Sequence, residues 1–348
     1  MSSTFSLSQL GWSAFFQQQV NFDEWQGVTA ARVMAVQRSH ITLACDAKPL
    51  FTLAVTSALT EATVGDWLLL DQKFAFVRLL SRSSLFSRKA AGSKVERQLI
   101  AANINTVFVV CSLDNNFNLS RIERYLALAH EAEVDPVIVL TKADCCADVA
   151  EKVSEVQQLD SMLMVEAVNG LDADSVARLL PWCGVGKTVA VLGSSGVGKS
   201  TLINSLIGDD IQHTGSAREQ DSRGRHTTTS RSMHLMAQGA LLLDTPGMRE
   251  LQLADCESGV VATFADVETL AQQCRFADCQ HQSEPGCAVQ AAIANDDLPL
   301  RRLQNYQKLL REQSRNSASL AERRQQEKQL HRYYRSVIKQ TTHHKKGD

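Results

Sequence analysis

The stretch GSSGVGKST, residues 193–201, follows the apolar run TVAVL and precedes LINSLIG. It matches the pattern G-x-x-x-x-G-K-[ST] in the context that the pattern requires, with a strand before it and a helix after it. Glycines there let backbone N–H groups surround phosphate oxygens, and the helix N-terminus adds its positive end. We therefore predict a phosphate-binding loop in which Lys199 reaches the β- and γ-phosphates and Ser200 is a ligand of Mg²⁺. Its predicted nucleotide-binding residues are Gly193, Ser194, Ser195, Gly196, Val197, Gly198, Lys199, Ser200 and Thr201.

The sequence around this loop alternates strands and helices. NTVFVVCSL and PVIVLTKAD are near-continuous apolar runs, as expected of parallel strands covered on both faces. Between them LSRIERYLALAHEAE has helical spacing, with Ile122, Leu126 and Ala129 on one face. GALLLDTPG is a further strand that ends in a turn. The alternation predicts an α/β domain over roughly residues 84–255.

DTPG, Asp244 to Gly247, begins 45 residues after Lys199, at the end of a predicted strand. An Asp in this place can hold the Mg²⁺ shell, and the Gly N–H can sense a γ-phosphate. We predict Asp244 and Gly247 as nucleotide-binding residues.

TKAD closes the strand PVIVL and comprises Thr141, Lys142, Ala143 and Asp144. It resembles the NKxD guanine-specificity element of GTPases, in which the Asp carboxylate accepts hydrogen bonds from guanine that adenine does not offer. Thr replaces Asn here, which weakens a supporting contact and leaves the Asp in place. The tetrapeptide predicts a guanine-reading loop, and a plain strand-end turn is its alternative.

The order of these elements is unusual. In ordinary GTPases the guanine-reading element follows D-x-x-G, whereas here Asp144 lies 49 residues before Gly193. The same parts in this order form a circularly permuted G domain. Together with RIERYLALA, GRHTTT and a Cys/His segment, this order resembles the family of ribosome small-subunit-dependent GTPases, RsgA, over about residues 25–300. The resemblance implies hydrolysis of GTP to GDP and phosphate with Mg²⁺. It also implies binding to the small ribosomal subunit and its rRNA at a late maturation step.

One element departs from the family. Glu166 and Ala167 stand where the family usually has a Ser-Ala element, whose Ala N–H contacts guanine O6. With Thr141, this departure indicates a divergent member or a paralogue.

GRHTTT, Gly224 to Thr229, lies where the first switch belongs, and the resemblance implies that one of Thr227, Thr228 or Thr229 is a Mg²⁺ ligand. Met248 stands where Ras-like enzymes place a water-orienting Gln, and a Met side chain does not orient water. His226 is the nearest candidate catalytic residue with suitable chemistry. A solvated loop histidine or an RNA contact is the alternative.

A second set of chemistry-bearing residues follows the α/β segment. Cys274, Cys279, His281 and Cys287 form Cys-x4-Cys-x-His-x5-Cys. Three thiolates and one imidazole make a closed tetrahedral set, typical of a structural zinc site. The same ligand positions occur in the family's zinc segment. The other cysteines are interpreted as core or surface thiols, and the alternative for the four is free thiols near a turn.

Composition and charge set the wider expectations. The 348 residues are 44% hydrophobic and 21% charged, which excludes wholesale disorder, and no apolar run approaches the length of a membrane helix. Nine cysteines without a disulfide pattern indicate a reducing compartment, so we expect a cytoplasmic protein. We also expect a monomer with no membrane partner. From Arg301 to Asp348 there are 13 Lys/Arg and 4 Asp/Glu, so this tail has a net charge of +9, a pattern that favours contact with phosphate.

The predicted fold class is multi-domain α/β. Its expected parts are a poorly ordered N-terminal arm (1–24), an OB-fold-like barrel (25–83), the permuted GTPase domain (84–255), a zinc-binding helical domain (256–300) and a basic helical tail (301–348). Two alternatives for function stay open: a nucleotide-dependent RNA-binding protein with little hydrolysis, and a P-loop kinase or transferase, in which TKAD has no role.

Overall fold

A computed structural model describes residues 5–89, 97–208, 231–244 and 256–317. The described residues contain thirteen strands, in chain order β1 (Val28–Val36), β2 (His40–Ala44), β3 (Phe51–Ala54), β4 (Trp67–Asp71), β5 (Phe76–Leu79), β6 (Leu85–Lys89), β7 (Arg97–Ala102), β8 (Thr106–Ser112), β9 (Asp135–Thr141), β10 (Met164–Val168), β11 (Thr188–Leu192), β12 (Arg231–Leu235) and β13 (Leu241–Asp244). The α-helices of the same part of the chain are α1 (Ala14–Gln17), α2 (Phe22–Trp25), α3 (Leu119–Glu131), α4 (Val149–Gln157), α5 (Ala173–Val176), α6 (Lys199–Ile207), α7 (Glu257–Thr263), α8 (Ala265–Ala271), α9 (Ala288–Ala294) and α10 (Leu300–Ser317). Single 3₁₀ segments lie at Ser57–Leu59, Ala143–Cys145 and Ala177–Trp182.

The centre of the molecule is a mostly parallel sheet with the strand order β10-β9-β8-β11-β13-β12. The first five strands run parallel to their neighbours, and β12 pairs antiparallel with β13. Every residue of β8 and of β11 is buried, which explains why both strands read as continuous apolar runs. The predicted α/β arrangement of alternating strands and helices is confirmed.

The side chains of β8 alternate between two layers of core. Val107 and Val109 pack in the cluster that also holds the buried face of α3. Phe108 and Val110 pack on the other face, with apolar residues of α6. A helix therefore covers each face of the central strand, as a parallel sheet requires.

The five N-terminal strands pair antiparallel in the order β3-β2-β1-β4-β5. They enclose an apolar cluster of their own, which includes Val33, Leu43 and Leu68. The two sheets are continuous, because β1 also pairs with β12 at Ala35↔Ser232. The strands predicted between residues 25 and 83 are present, and the assignment of this unit to an OB fold stays a prediction.

The expectation of a poorly ordered arm over residues 1–24 is wrong for residues 5–24. Three of its apolar side chains are buried in the core: Leu10, Phe16 and Val20. The ring of Trp12 stands edge-on to Trp67, with 4.8 Å between ring centroids. Two four-residue helices, α1 and α2, are too short to leave a helical period in the sequence, so the order of this segment had no visible signal.

The C-terminal helices pack on α3. Glycine at position 259 allows α7 to approach α3 closely, since a Cβ there would lie 2.1 Å from Ala127 O of α3. The Gly259 N–H donates to the Glu131 carboxylate at 2.9 Å. Leu303 and Tyr306 of α10 are buried, and Leu310 is half-buried.

Glu123 of α3 is a fully buried carboxylate, and α10 holds it. Arg301 donates to both of its oxygens, at 2.9 and 3.1 Å, and Arg302 donates to Oε1 at 2.9 Å. The Asn305 side chain donates to Oε2, and Arg302 also binds both oxygens of Asp266. Burial opposes the charge of Arg302, but its bonds to Asp266 and Glu123 raise its pKa above the usual value.

The sequence analysis counted Arg301 and Arg302 among the tail charges that favour contact with phosphate, and for Arg302 this is wrong, because its side chain is buried. Both side chains form ion pairs with the buried Glu123. The rest of the predicted tail beyond residue 317 lies outside the described residues. No helix within the described ranges has the length and apolar character needed to cross a bilayer.

We expect Glu123→Gln to loosen α10, because the substitution removes the buried carboxylate and leaves Arg302 with Asp266 alone as its charged partner among the described residues. Removing one partner of a buried ion pair costs about 3 kcal/mol or more, which corresponds to about 100-fold faster exchange of amide hydrogens in α10. The measurement is hydrogen exchange by mass spectrometry.

The matched control is Glu312→Gln. Glu312 of α10 pairs with Arg124 of α3 across the same interface, but both side chains are partly exposed. Such a pair contributes about 1 kcal/mol or less, so exchange should change less than about fivefold. Equal exchange in the two variants would show that Glu123 does not hold α10.

Candidate functional site

The predicted phosphate-binding loop connects β11 to α6, as the sequence required. Gly193 has a φ of 152° and lies against β8, where a Cβ would be 2.5 Å from Val110 O. Gly198 is the N-cap of α6 in the left-handed conformation, with a φ of 88°. Both positions therefore need glycine. Ser200 and Thr201 follow in the first turn of α6, at the end where free N–H groups favour an anion.

Lys199 begins α6 and is buried. Its Nζ donates to the main-chain oxygen of Ser194, inside the same loop. Ser195 and Gly196, at the tip of the loop, are exposed, and Val197 is buried beneath them. The ammonium group of Lys199 thus lies within the loop that is predicted to bind phosphate.

The TKAD loop lies directly beside the phosphate-binding loop. β9 ends at Thr141, whose Oγ1 donates to Val197 O at 2.6 Å. Gly198 is also adjacent, since a Cβ built on it would lie 3.5 Å from Thr141 Oγ1. Thr141, which stands where the usual element has Asn, therefore makes a supporting hydrogen bond. This bond joins two loops that are 56 residues apart in the chain.

Lys142 and Asp144 extend from this loop in different directions. Lys142 adopts a left-handed conformation with a φ of 58°, and its Nζ is 2.7 Å from Asp114 Oδ2. Ala143 to Cys145 form a 3₁₀ turn, in which the Asp144 residue is exposed. The Cys145 thiol donates to Asp144 Oδ2 at 3.4 Å, and this hydrogen bond raises the pKa of the thiol. The Asp144 carboxylate is accessible from solvent at the expected place.

Asp114, just after β8, holds the side chain of Lys142 in the TKAD loop. The sequence analysis did not identify this residue. The hydrogen bond from Lys142 holds the pKa of Asp114 well below its usual range, and bonds from Ser112 Oγ and the Asn116 N–H add to this. The carboxylate therefore stays charged and fixes the conformation of Lys142. A charged residue at the carboxyl end of a buried parallel strand was the available signal, because ligands bind at that edge of such sheets.

Glu166 and Ala167 lie within β10, in register with Val139 and Leu140 of β9. β10 ends at Val168, opposite Thr141. Glu166 and Ala167 stand where the RsgA family usually has its Ser-Ala element, and they therefore lie near the same edge of the sheet as the TKAD loop. Asp244 ends β13, which is parallel to β11. The other predicted site residues lie outside the described residues: His226, Thr227, Thr228, Thr229, Gly247 and Met248.

The Cys/His segment brings its four predicted ligands together. The ligand atoms of Cys274, Cys279, His281 and Cys287 all lie within 4.8 Å of one another. His281 Nδ1 is 3.6 Å from the sulfurs of Cys274 and Cys287, and these sulfurs are 3.8 Å apart. A tetrahedral ion with metal–sulfur bonds of about 2.3 Å and a metal–nitrogen bond of about 2.0 Å separates its ligands by about 3.6–3.8 Å. The group therefore fits a tetrahedral metal ion.

Local hydrogen bonds hold this group in place. Gln290 donates from Nε2 to His281 O at 2.6 Å and from its main-chain N–H to Cys287 Sγ at 3.4 Å. The Glu284 carboxylate accepts N–H bonds from Gln280, Gln282 and Ser283, and these bonds lower its pKa. Such outer contacts orient metal ligands.

Comparison with protein families gives two matches. A family model described as RsgA GTPase matches residues 79–254, and a model described as ABC transporter matches residues 183–338. Both ranges contain β11, the phosphate-binding loop and α6, which are the parts that unrelated P-loop proteins share. The first match also contains β8, α3, β9 and the TKAD loop.

The chain is 60% identical over 338 residues to "Small ribosomal subunit biogenesis GTPase RsgA 2" of Vibrio parahaemolyticus, with 97% of this chain and 94% of that protein covered. In structure it is similar to YjeQ from Thermotoga maritima, with a TM-score of 0.61, 22% identity, and coverage of 81% of this chain and 97% of that one. YloQ, described as a circularly permuted GTPase, gives a TM-score of 0.59 at 20% identity, and the match covers 84% of this chain and 96% of that one. At such identities these two structures show the fold alone, and they confirm the predicted permuted arrangement.

We expect Thr141→Val to lower the free energy of unfolding by about 1–3 kcal/mol, because Val197 O then loses a buried donor. Thr188→Val is the matched control. Thr188 is also buried in the parallel sheet, and its Oγ1 has no hydrogen-bond partner within the described part of the chain. Its replacement should change stability by less than about 1 kcal/mol. Chemical denaturation followed by circular dichroism measures both, and equal losses would mean that the Thr141–Val197 bond does not join the loops.

Proposed function

Because this chain belongs to the RsgA GTPase family, we propose that it hydrolyses GTP to GDP and phosphate during maturation of the small ribosomal subunit. The observation that carries the proposal is the bond of 2.6 Å between Thr141 Oγ1 and Val197 O. It joins the guanine-reading loop to the phosphate-binding loop, so that one nucleotide can span both. A P-loop kinase gives the TKAD loop no such role.

We assign the parts of the site as follows. Asp144 accepts hydrogen bonds from the guanine N–H groups, and the loop from Gly193 to Thr201 binds the phosphates, with Lys199 as its charged group. Ser200 and a threonine of residues 227–229 would hold Mg²⁺, which neutralises charge on the phosphates when it is bound. Asp244 supports the Mg²⁺ shell, and Gly247 responds to the γ-phosphate. His226 is our candidate for orienting the attacking water, in place of the Gln that Met248 replaces.

The partner we propose is the small ribosomal subunit with its rRNA. Support comes from the name of the relative at 60% identity and from the basic composition of the tail after Arg301. Phosphate contacts of such a tail strengthen binding without setting its specificity. We further propose that the protein works as a cytoplasmic monomer.

The test is GTP turnover with and without purified small ribosomal subunits, using Lys199→Ala as the inactive reference. We expect slow turnover by the chain alone and a clear increase when subunits are added, because the site lacks the usual water-orienting Gln. Turnover no higher than that of Lys199→Ala, with or without subunits, would refute hydrolysis. Subunit binding without turnover would favour the RNA-binding alternative.

We propose zinc as the ion of the Cys274, Cys279, His281 and Cys287 group, in a structural role. Four protein ligands leave no open position for chemistry, and three thiolates suit zinc. The ion would fix the loop between α8 and α9, which has few apolar side chains of its own to pack.

Elemental analysis of protein prepared without chelator should find one zinc per chain. Cys274→Ser should lose it and expose the 272–287 loop to proteolysis, while GDP binding is retained, because binding energy of such an ion is folding energy of the loop. Cys145→Ser is the matched control for zinc content and for proteolysis of the loop, since Cys145 is an exposed thiol outside the group. Zinc-free wild-type protein would contradict the assignment.

A further inference from the structure

The side chain of Arg121 contacts the phosphate-binding loop from the neighbouring helix. Arg121 lies near the start of α3, three residues after its N-cap Asn118. Its Nη1 donates to Ser194 Oγ at 3.1 Å and to Asn116 O at 3.5 Å. Arg121 begins the stretch RIERYLALA, but it lies outside the phosphate-binding loop, TKAD, DTPG and the Cys/His group. Its contact with the second residue of the loop nevertheless places a permanent positive charge beside the nucleotide site.

Ser194 is held from two sides. Arg121 binds its hydroxyl, and the Lys199 ammonium binds its main-chain oxygen. Under the proposed function Lys199 binds the β- and γ-phosphates, so its ammonium must leave Ser194 O when a nucleotide enters. Arg121 can keep its bond to the hydroxyl during this change. The loop would then keep its hydrogen bond to Arg121 while it loses its hydrogen bond to Lys199.

The helix α3, which carries Arg121, is held in place by packing and by ion pairs. The face of α3 that includes Ile122 and Leu126 is buried against the sheet. Glu123, two residues further along the helix, accepts hydrogen bonds from Arg301 and Arg302. A side chain that extends from such a helix transmits little motion to the loop it contacts.

We propose that Arg121 is a positioning residue of the nucleotide site, which acts through Ser194 to hold the phosphate-binding loop in the shape that receives the phosphates. The inference rests on the proposed function. A loop that is already ordered loses less conformational freedom on binding, so the benefit appears as nucleotide affinity. At saturating nucleotide the phosphates impose the same loop shape, so the rate of hydrolysis gains little.

The test is a double-mutant cycle on the full chain, with GDP affinity as its readout. We expect Arg121→Ala and Ser194→Ala each to raise the Kd for GDP about tenfold, the scale of one hydrogen bond to a charged group. The double variant should be no weaker than either single variant, because both remove the same bond. Arg121→Lys should recover part of the loss, since an ammonium can donate to Ser194 Oγ.

Two further measurements separate positioning from general damage. The kcat at saturating GTP should change less than about threefold in Arg121→Ala, while KM rises with the Kd. Arg124→Ala is the matched control, because Arg124 lies on the same helix but pairs with Glu312 of α10. Its Kd for GDP should equal that of the wild-type chain.

Several outcomes would overturn the inference. Additive losses in the double variant would mean that Arg121 does not act through Ser194, and an unchanged Kd in Arg121→Ala would mean that the contact has no role in binding. A fall in kcat with constant KM would also contradict a positioning role. Failure of the wild-type chain to bind GDP would overturn the proposed function together with this inference, whereas the other results overturn this inference alone.

Discussion

The position of β8 between β9 and β11 is the constraint on which the rest of the structure depends. All three strands are parallel, so the segments that follow them meet at one edge of the sheet. The TKAD loop after β9, which we propose reads guanine, and the predicted phosphate-binding loop after β11 are therefore neighbours, although the chain has them in reverse order. Circular permutation changes the connections of these strands and leaves this edge intact.

The helix that follows β8 extends this constraint to the C-terminal region. Near its start Arg121 contacts the phosphate-binding loop, and two residues later Glu123 accepts hydrogen bonds from Arg301 and Arg302. Toward its end, Glu131 binds the N–H of Gly259 in α7. The helix α3 thus contacts both the predicted phosphate-binding loop and the C-terminal helices α7 and α10. A partner that binds the C-terminal region would have a direct structural path to the phosphate-binding loop.

The sequence was informative where a residue type is required by local chemistry. The backbone conformations at positions 193 and 198 require glycine, and the four predicted metal ligands have a defined spacing, so both motifs could be identified from the sequence. Long-range pairs could not be identified in this way. Nothing local links Glu123 to Arg302, 179 residues away, so Arg302 was counted among the tail charges that favour contact with phosphate. The N-terminal segment was misread because helices of four residues leave no period. Arg121 and Asp114 acquire their roles only from strand order.

The central claim is that the TKAD loop and the phosphate-binding loop form one guanine nucleotide site. Hydrogen exchange by mass spectrometry tests it directly, with wild-type chain titrated with GDP and, separately, with ADP. The account predicts that peptides covering residues 141–146 and 193–201 become protected together, with one GDP midpoint, and that ADP at the same concentrations protects neither. Protection of residues 193–201 alone, or equal protection by ADP, would contradict it.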